Sequence, residues 1–199
     1  MTAMHFVSTR NAAVTAGFGE ALVTGLAPDV ERELIARTTD AIATVTGQPP
    51  RGWRTPSGLI TPRTLSLLAE YGYKYDSSFI DEDRPYRLAV DSTGTREIIE
   101  LPFTWSINDS PYFNYPGVTL RAPSDVLRIW REETEGIAAY DGYVMMTSHP
   151  RFTGRPARAK ILEEYLTWLA NRGSTWVGRA DTLVDWLVSS GQTLPRYPF

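Results

Sequence analysis

Apolar positions recur along the chain with two periods, one typical of helices and the other of buried strands. Apolar residues at three- and four-residue steps share one face of a helix, whereas short apolar runs between turn residues indicate buried strands. Between residues 28 and 188 the two patterns alternate, with Gly and Pro residues at their boundaries. This alternation predicts βαβ units and a mostly parallel sheet covered by helices.

The helical pattern begins at Pro or capping residues and stops near Gly residues. The predicted helices cover residues 28–46, 62–71, 124–140, 156–172 and 180–188. Gly47 is the predicted C-terminal cap of the first helix, because glycine readily adopts the left-handed conformation that such a cap requires. The apolar face predicted for this helix consists of Val30, Leu34, Thr38, Ala41, Ile42 and Val45.

Short apolar runs between these helices predict the strands. They cover residues 51–54, 73–76, 97–103, 143–147 and 175–178. Residues 80–95 are polar and predict a long loop or a small hairpin, whereas residues 108–123 form a long aromatic connection of a kind that is often functional. Residues 1–19 predict no element, so one domain is expected over residues 20–190, followed by a tail over residues 191–199.

Sites in such folds are built by residues just beyond the carboxyl ends of the strands. Here this rule selects Arg54, Asp76, the segment 105–109 and His149. His149 can act as a general acid or base because imidazole titrates near neutral pH, or it can be a hydrogen-bonded structural residue. Arg54 can fix a carboxylate in one orientation, although a surface role is favoured for this residue taken alone.

Aromatic and acidic residues are combined in the segment that follows the third predicted strand. Trp105 and Asp109 form a common pairing for binding cyclic polar substrates such as sugars, although a Trp is more often core and an Asp a turn former. Tyr112 and Phe113 can form a lid or pack beneath their own loop. Asp76 is either a catalytic residue or the cap of the turn that follows it, and the cap is the favoured interpretation.

Composition excludes several classes of chemistry. The 199 residues include no Cys and only two His, so disulfides, thiol catalysis and sites with several His ligands from one chain are excluded. The formal net charge of −3 points neither to nucleic acid nor to an anionic membrane surface. No apolar run approaches the ~20 residues of a membrane-spanning helix and no signal peptide is predicted, so a soluble, cytoplasmic protein is expected.

Several segments together resemble one known family. They are R-G-W-R-T-P-S-G at 51–58, L-L-A-E-Y-G-Y-K-Y-D-S-S at 67–78, D-R-P-Y-R-L at 83–88, E-L-P-F-T-W-S-I-N-D-S-P-Y-F at 100–113 and T-S-H-P-R-F-T-G-R-P-A-R at 147–158. In order and content they resemble the polysaccharide deacetylase family, the NodB-homology domain of carbohydrate esterase family four. The resemblance is closest to the branch of peptidoglycan-deacetylase-like and allantoinase-like proteins, and it runs from Gly25 to Val184.

The resemblance implies an α/β fold, the deformed (β/α) barrel of this family, and hydrolysis of a carbon–nitrogen bond other than a peptide bond. Arg54 and Pro56 match the family's Arg-x-Pro motif, whose Arg orients the catalytic Asp. Trp105 and Asp109 match its Trp and acid beside the substrate, and His149 matches its strand-end His, the general acid toward the leaving nitrogen. The residues expected to contact the substrate are Trp105, Pro56, Tyr112 and Phe113.

Two motifs of the family have no match in the chain. The T-F-D-D motif, which supplies the catalytic base and a metal-binding Asp, is absent, and Thr15–Glu20 holds no His where the H-x-x-x-H metal ligands belong. His5 lies too far upstream to fit. The family often binds a divalent metal such as zinc, but no cofactor is expected in this chain. A barrel incomplete on its N-terminal side is expected, and because it exposes sheet edge and apolar surface, so is a homo-oligomer.

Three explanations for the missing motifs stay open. The chain can be a truncated or frame-disrupted copy of a longer enzyme, a non-catalytic relative that keeps a sugar-binding pocket, or a protein complete only as an oligomer whose other subunit supplies the missing groups. The truncated or frame-disrupted enzyme is favoured. The predicted activity is deacetylation of an amino sugar, and the alternatives are an allantoinase-like cyclic-amide hydrolase and a carbohydrate-binding protein. In each case the expected partner is a small molecule rather than nucleic acid or a membrane.

Overall fold

The computed structural model describes residues 2–6, 26–91, 93–114, 117, 119–173 and 175–198. The chain divides into two compact units. The His149 unit consists of Met1–Thr9 and Phe103–Arg179, and the Arg54 unit consists of Arg10–Pro102 and Ala180–Phe199. Each unit has its own sheet and its own cluster of buried apolar side chains.

Helices and strands alternate along most of the described chain, as the sequence predicts. In chain order they are β1 (Thr2–Phe6), α1 (Pro28–Thr46), β2 (Gly52–Trp53), α2 (Pro62–Glu70), β3 (Tyr75–Asp76), β4 (Tyr86–Ala89), β5 (Glu97–Glu100), α3 (Ser110–Phe113), α4 (Pro123–Ala139), β6 (Val144–Met146), α5 (Pro150–Thr153), α6 (Pro156–Ala170), β7 (Thr175–Gly178), α7 (Ala180–Ser189) and β8 (Arg196–Tyr197). Short 3₁₀ turns lie at Pro56–Gly58 and Trp105–Ile107. Strand β1 and the one-turn helices α3 and α5 lie where the apolar pattern predicts no element. The two helices have only four residues each, too few to show a helical period.

The sheet of the Arg54 unit has the strand order β2-β3-β5-β4-β8. Pairing is parallel between β2 and β3, between β3 and β5 and between β4 and β8, and antiparallel between β4 and β5. The β4–β5 pair is a small hairpin, one of the two alternatives predicted for residues 80–95, and β8 lies within the segment predicted as a tail. The carboxyl ends of β2, β3 and β5 share one sheet edge, which carries Arg54, Asp76 and Glu100.

Helix α1 buries a face that differs in part from the predicted one. Its buried residues are Glu31, Ile35, Thr38 and Ile42. Val30 and Val45, both predicted on the buried face, are 46% and 85% exposed. The face shifts because Glu31 is buried in an ion pair with Arg63 and accepts a hydrogen bond from the Thr64 hydroxyl at 2.5 Å. A charged side chain buried with its partners leaves no trace in apolar periodicity.

The sheet of the His149 unit has the order β6-β1-β7 and is parallel throughout. Met4 of β1 pairs with Val144 of β6 and with Val177 of β7. Helices α4 and α6 pack through Trp130 and Tyr165, whose side chains are fully buried with ring centroids 5.5 Å apart. In the described parts of both units, no helix is long and apolar enough to cross a lipid bilayer.

Candidate active site

The segment that leads to Asp109 runs parallel to β6. Asn108 and Thr147 pair in parallel register, and the Asp109 backbone N–H donates to the Thr147 carbonyl oxygen at 3.2 Å. Because parallel segments end at the same edge of a sheet, the residues that follow this pairing are neighbours. They are Asp109 and His149, two of the residues that the sequence selects as catalytic candidates.

The Asp109 carboxylate contacts both the ring and the backbone of His149. His149 Nδ1 lies 2.5 Å from Asp109 Oδ1, and the His149 backbone N–H donates to Oδ2 at 2.7 Å. The Thr153 hydroxyl donates to the same Oδ2. Asp109 is fully buried, whereas the His149 side chain is 36% exposed. A carboxylate at Nδ1 favours the Nδ1–H tautomer, so Nε2 is the atom that can accept or donate a proton.

The aromatic ring of Phe152 packs against the His149 imidazole. The two ring centroids are 5.3 Å apart, and the planes are tilted by 55°. Phe152 is buried, and the Arg151 guanidinium lies 4.5 Å from the centroid of its ring. Asp109 and Phe152 together restrict the rotation of the imidazole.

Trp105 is exposed, in contrast to the two other aromatic residues predicted to bind substrate. Its side chain is 53% exposed and packs on Phe103 at a centroid distance of 6.1 Å, so it is not a core residue. The Tyr112 hydroxyl donates to the Ser106 carbonyl oxygen at 2.9 Å, and burial raises the pKa of Tyr112. Phe113 is 2% exposed within the core of the His149 unit. Contact of these three residues with a substrate stays a prediction.

Arg54 follows β2 and is held by residues that follow β3. Its Nε donates to the Ser77 carbonyl oxygen at 2.7 Å, and a terminal N–H donates to the Ser77 hydroxyl. That hydroxyl donates in turn to the Leu101 carbonyl oxygen at 2.6 Å. Pro56 begins a 3₁₀ turn and keeps Thr55 extended, as a proline does to the residue before it. The guanidinium is therefore fixed in its own unit, and its predicted action on a catalytic carboxylate stays a prediction.

Two buried carboxyl groups, Asp76 and Glu100, lie at the carboxyl ends of β3 and β5. Both are fully buried, and the register of the two strands pairs them directly. Asp76 accepts hydrogen bonds from the backbone N–H and the hydroxyl of Ser78 at 3.0 and 2.9 Å, which confirms its interpretation as a turn cap. Glu100 accepts a hydrogen bond from the Phe79 N–H at 3.1 Å.

Burial is the main reason that the pKa of each of these carboxyl groups is raised. The negative charge of Asp76 raises the pKa of Glu100 further, well above its usual range, and Arg54 partly opposes this effect. A proton on Glu100 removes the repulsion between the two negative charges and offers Asp76 a donor. Glu100 is not among the residues predicted from the sequence, although an acid inside the apolar run Ile98–Leu101 is a visible signal.

The described residues do not fit the divalent metal that the family resemblance implies. In those ranges no group of three or more His, Cys, Asp and Glu side chains is placed to hold an ion. The segment Thr15–Glu20, where the family's ligands are expected, lies outside the described residues. His5 lies in β1, where it pairs with Met145 of β6. The predicted homo-oligomer stays a prediction.

Comparisons with known proteins point to one family. Residues 8–75 match the family described as polysaccharide deacetylase. A peptidoglycan deacetylase of Helicobacter pylori is 22% identical over 186 residues, which cover 79% of this chain and 64% of the relative. The crystal structure of a Mycobacterium smegmatis protein assigned as a polysaccharide deacetylase has a TM-score of 0.79 and 31% identity, and the match covers 89% of this chain and 62% of that one.

A further likeness concerns the fold alone. The crystal structure of Puue allantoinase has a TM-score of 0.73 at 23% identity, and the match covers 85% of this chain and 56% of that one. The predicted α/β fold of the polysaccharide deacetylase type is confirmed by these likenesses. The chain spans less than two thirds of the length of each of these relatives.

Proposed function

We propose that this chain, which belongs to the polysaccharide deacetylase family, hydrolyses the N-acetyl amide bond of an amino sugar. The observation that carries this proposal is the contact between Asp109 and His149. Amide hydrolysis requires a group that delivers a proton to the leaving nitrogen, since an unprotonated amine anion is a poor leaving group. His149 is proposed as that general acid, after it has accepted a proton from the attacking water, and Asp109 as the group that keeps it in the reactive orientation.

In the proposed reaction His149 Nε2 accepts a proton in the first step and gives it up in the second. Water adds to the acyl carbon while one of its protons passes to Nε2 of the neutral imidazole. The tetrahedral intermediate then breaks its C–N bond as this proton passes from Nε2 to the leaving nitrogen. The products are acetic acid and a free amine. Between the two steps the buried Asp109 carboxylate stabilises the imidazolium.

A carbohydrate-binding role without turnover is the second candidate. The exposed indole of Trp105 favours it, because an exposed aromatic face can stack on a sugar ring whether or not the bond is cleaved. In both candidates the ligand is a small amino sugar. A cyclic amide is the alternative substrate.

Two measurements on the full chain with N-acetylglucosamine oligomers distinguish these candidates. They are the release of acetate and the binding of the sugar. The hydrolase predicts acetate and free amine in equal amounts. Saturable binding without acetate supports the binding protein, and ring opening of a hydantoin-type amide without acetate supports the cyclic-amide hydrolase. A chain that shows no acetate release, no binding and no ring opening refutes all three.

The exposed Trp105 provides the variant for the binding measurement. Trp105→Ala is expected to weaken binding at least tenfold, a loss typical of one aromatic contact. Tyr140→Ala, at a residue of the same unit that is 80% exposed, is the control. Equal affinities of the wild type and Trp105→Ala would remove Trp105 from the proposed sugar contact.

A further inference from the structure

The buried Asp109 carboxylate receives a hydrogen bond from a residue of the 147–158 segment for which the sequence predicts no role. Asp109 Oδ1 faces His149 Nδ1, and Oδ2 accepts the His149 backbone N–H. The remaining donor on Oδ2 is the hydroxyl of Thr153, whose side chain is 2% exposed. Because both side chains are buried, water does not readily replace this hydroxyl if it is lost.

The backbone around Thr153 fixes where its hydroxyl points. The backbone N–H groups of Phe152 and Thr153 both donate to the His149 carbonyl oxygen at 2.9 Å. Gly154 closes the turn with a hydrogen bond from its N–H to the Pro150 carbonyl oxygen at 2.9 Å. Helix α5 follows His149 directly, so its last residue, Thr153, carries the hydroxyl to the Asp109 carboxylate.

We propose that Thr153 is a positioning residue for His149, acting through Asp109. Its hydroxyl holds Oδ2, so that Oδ1 stays aligned with the ring nitrogen and the neutral imidazole keeps its proton on Nδ1. The consequence for turnover rests on the proposed function, whereas the consequence for the imidazole does not. Thr153 thus belongs to the proton-transfer group without touching the substrate.

A second buried threonine provides a matched control. Thr134 lies in the same unit, is also 2% exposed, donates to the Trp130 carbonyl oxygen at 2.6 Å and hydrogen-bonds the Tyr165 hydroxyl at 2.7 Å. Thr134→Val removes a buried hydroxyl from the core, whereas Thr153→Val removes one from the carboxylate. A general loss of packing or stability is expected in both variants. A change in the alignment of the imidazole is expected in Thr153→Val alone.

Nitrogen NMR of the imidazole tests the proposal directly, because the chain has only two histidines and His5→Gln assigns the signals. In the wild type, neutral His149 is expected as the Nδ1–H tautomer. In Thr153→Val the ratio of the Nδ1–H to the Nε2–H tautomer is expected to fall at least about fivefold, the equivalent of one ordinary hydrogen bond. Thr153→Ser should restore the wild-type ratio, and Thr134→Val should leave it unchanged.

Three outcomes overturn the proposal: an unchanged ratio in Thr153→Val, an equal change in Thr134→Val, or no recovery in Thr153→Ser. If Thr153→Val does not fold, Thr153→Ser and Thr153→Ala make the same comparison, because both lack the methyl group and differ in the hydroxyl. In an active enzyme Thr153→Val should lower kcat with little change in KM. If the chain releases no acetate, the proposed function is refuted. The tautomer ratio still tests the positioning role of Thr153 in that case.

Discussion

The Asp109 carboxylate holds His149 twice, through the ring nitrogen Nδ1 at 2.5 Å and through the backbone N–H at 2.7 Å. The two contacts use different carboxylate oxygens, so neither competes with the other. Because a fully buried carboxylate contacts both the backbone and the side chain of His149, the imidazole has little rotational freedom. This arrangement is typical of a histidine that moves protons at Nε2.

Replacing Asp109 by Asn tests this arrangement. The amide offers one acceptor oxygen where the carboxylate offers two, and its NH₂ group faces a donor. We expect Asp109→Asn to lower kcat for acetate release by ~10²-fold or more, because the imidazole loses its favoured tautomer. Asp125→Asn, at an acid of the same unit whose side chain is 55% exposed, is the control. A rate for Asp109→Asn within a factor of two of the wild type would show that the carboxylate is structural.

Glu100→Gln is expected to change how stability depends on pH. The raised pKa of Glu100 means that folding takes up a proton at this residue. The wild type should therefore lose stability as the pH rises from about 4.5, the usual value for Glu, through the raised pKa. The Gln variant keeps a donor toward Asp76 and needs no proton, so its stability should fall less over this window.

Urea denaturation at a series of pH values measures this effect, with the exposed Glu82→Gln as the control in the same unit. Parallel stability curves for the wild type and Glu100→Gln would refute a shared proton between Asp76 and Glu100.

Arg54→Lys is expected to destabilise the Arg54 unit. Lysine cannot reproduce the planar pair of contacts from the guanidinium to the carbonyl oxygen and hydroxyl of Ser77. A loss of about 1 to 2 kcal/mol in the free energy of unfolding is expected. Arg37→Lys, whose wild-type side chain is 64% exposed, should change stability by less than about 0.5 kcal/mol. Equal effects of the two substitutions in a urea titration would contradict the proposed restraint of Arg54.

Two glycines of the His149 unit should respond to alanine in opposite directions. A Cβ on Gly154 would lie 2.3 Å from the Pro150 carbonyl oxygen, so the turn that carries Thr153 must open. Gly154→Ala should lower the free energy of unfolding by about 1 to 3 kcal/mol. Gly136 lies inside helix α4, and a Cβ there would meet nothing within 4 Å. Gly136→Ala should therefore raise the free energy of unfolding by about 0.5 to 1 kcal/mol. Thermal unfolding of the two variants checks both signs.

Much of the architecture can be predicted from the sequence. Apolar periodicity indicates which residues of an element are buried, and Gly and Pro residues mark where elements end. Helix α1 ends as predicted, with Gly47 in the left-handed conformation and its N–H donating to the Ala43 carbonyl oxygen at 2.8 Å. Strand β7 has the predicted bounds. The strand-end rule also selects Asp109 and His149 from a short set of candidates.

The remaining features depend on contacts between distant residues. Glu31 is buried because Arg63 reaches it from another helix, and Glu100 is buried beside Asp76 because two strands pair in one register. The Thr153 hydroxyl acquires a role only once Asp109 lies opposite it. None of these pairings is expressed in the local pattern of polar and apolar positions, so the sequence alone could not place them.

The most direct test of the central claim is the rate of acetate release from N-acetylglucosamine oligomers by the wild type and by His149→Gln. Gln retains polarity and approximate size but cannot transfer a proton near neutral pH. We predict measurable release by the wild type and a loss of ~10²-fold or more in the variant. Equal rates for the two proteins, with the variant folded, would contradict proton transfer by His149.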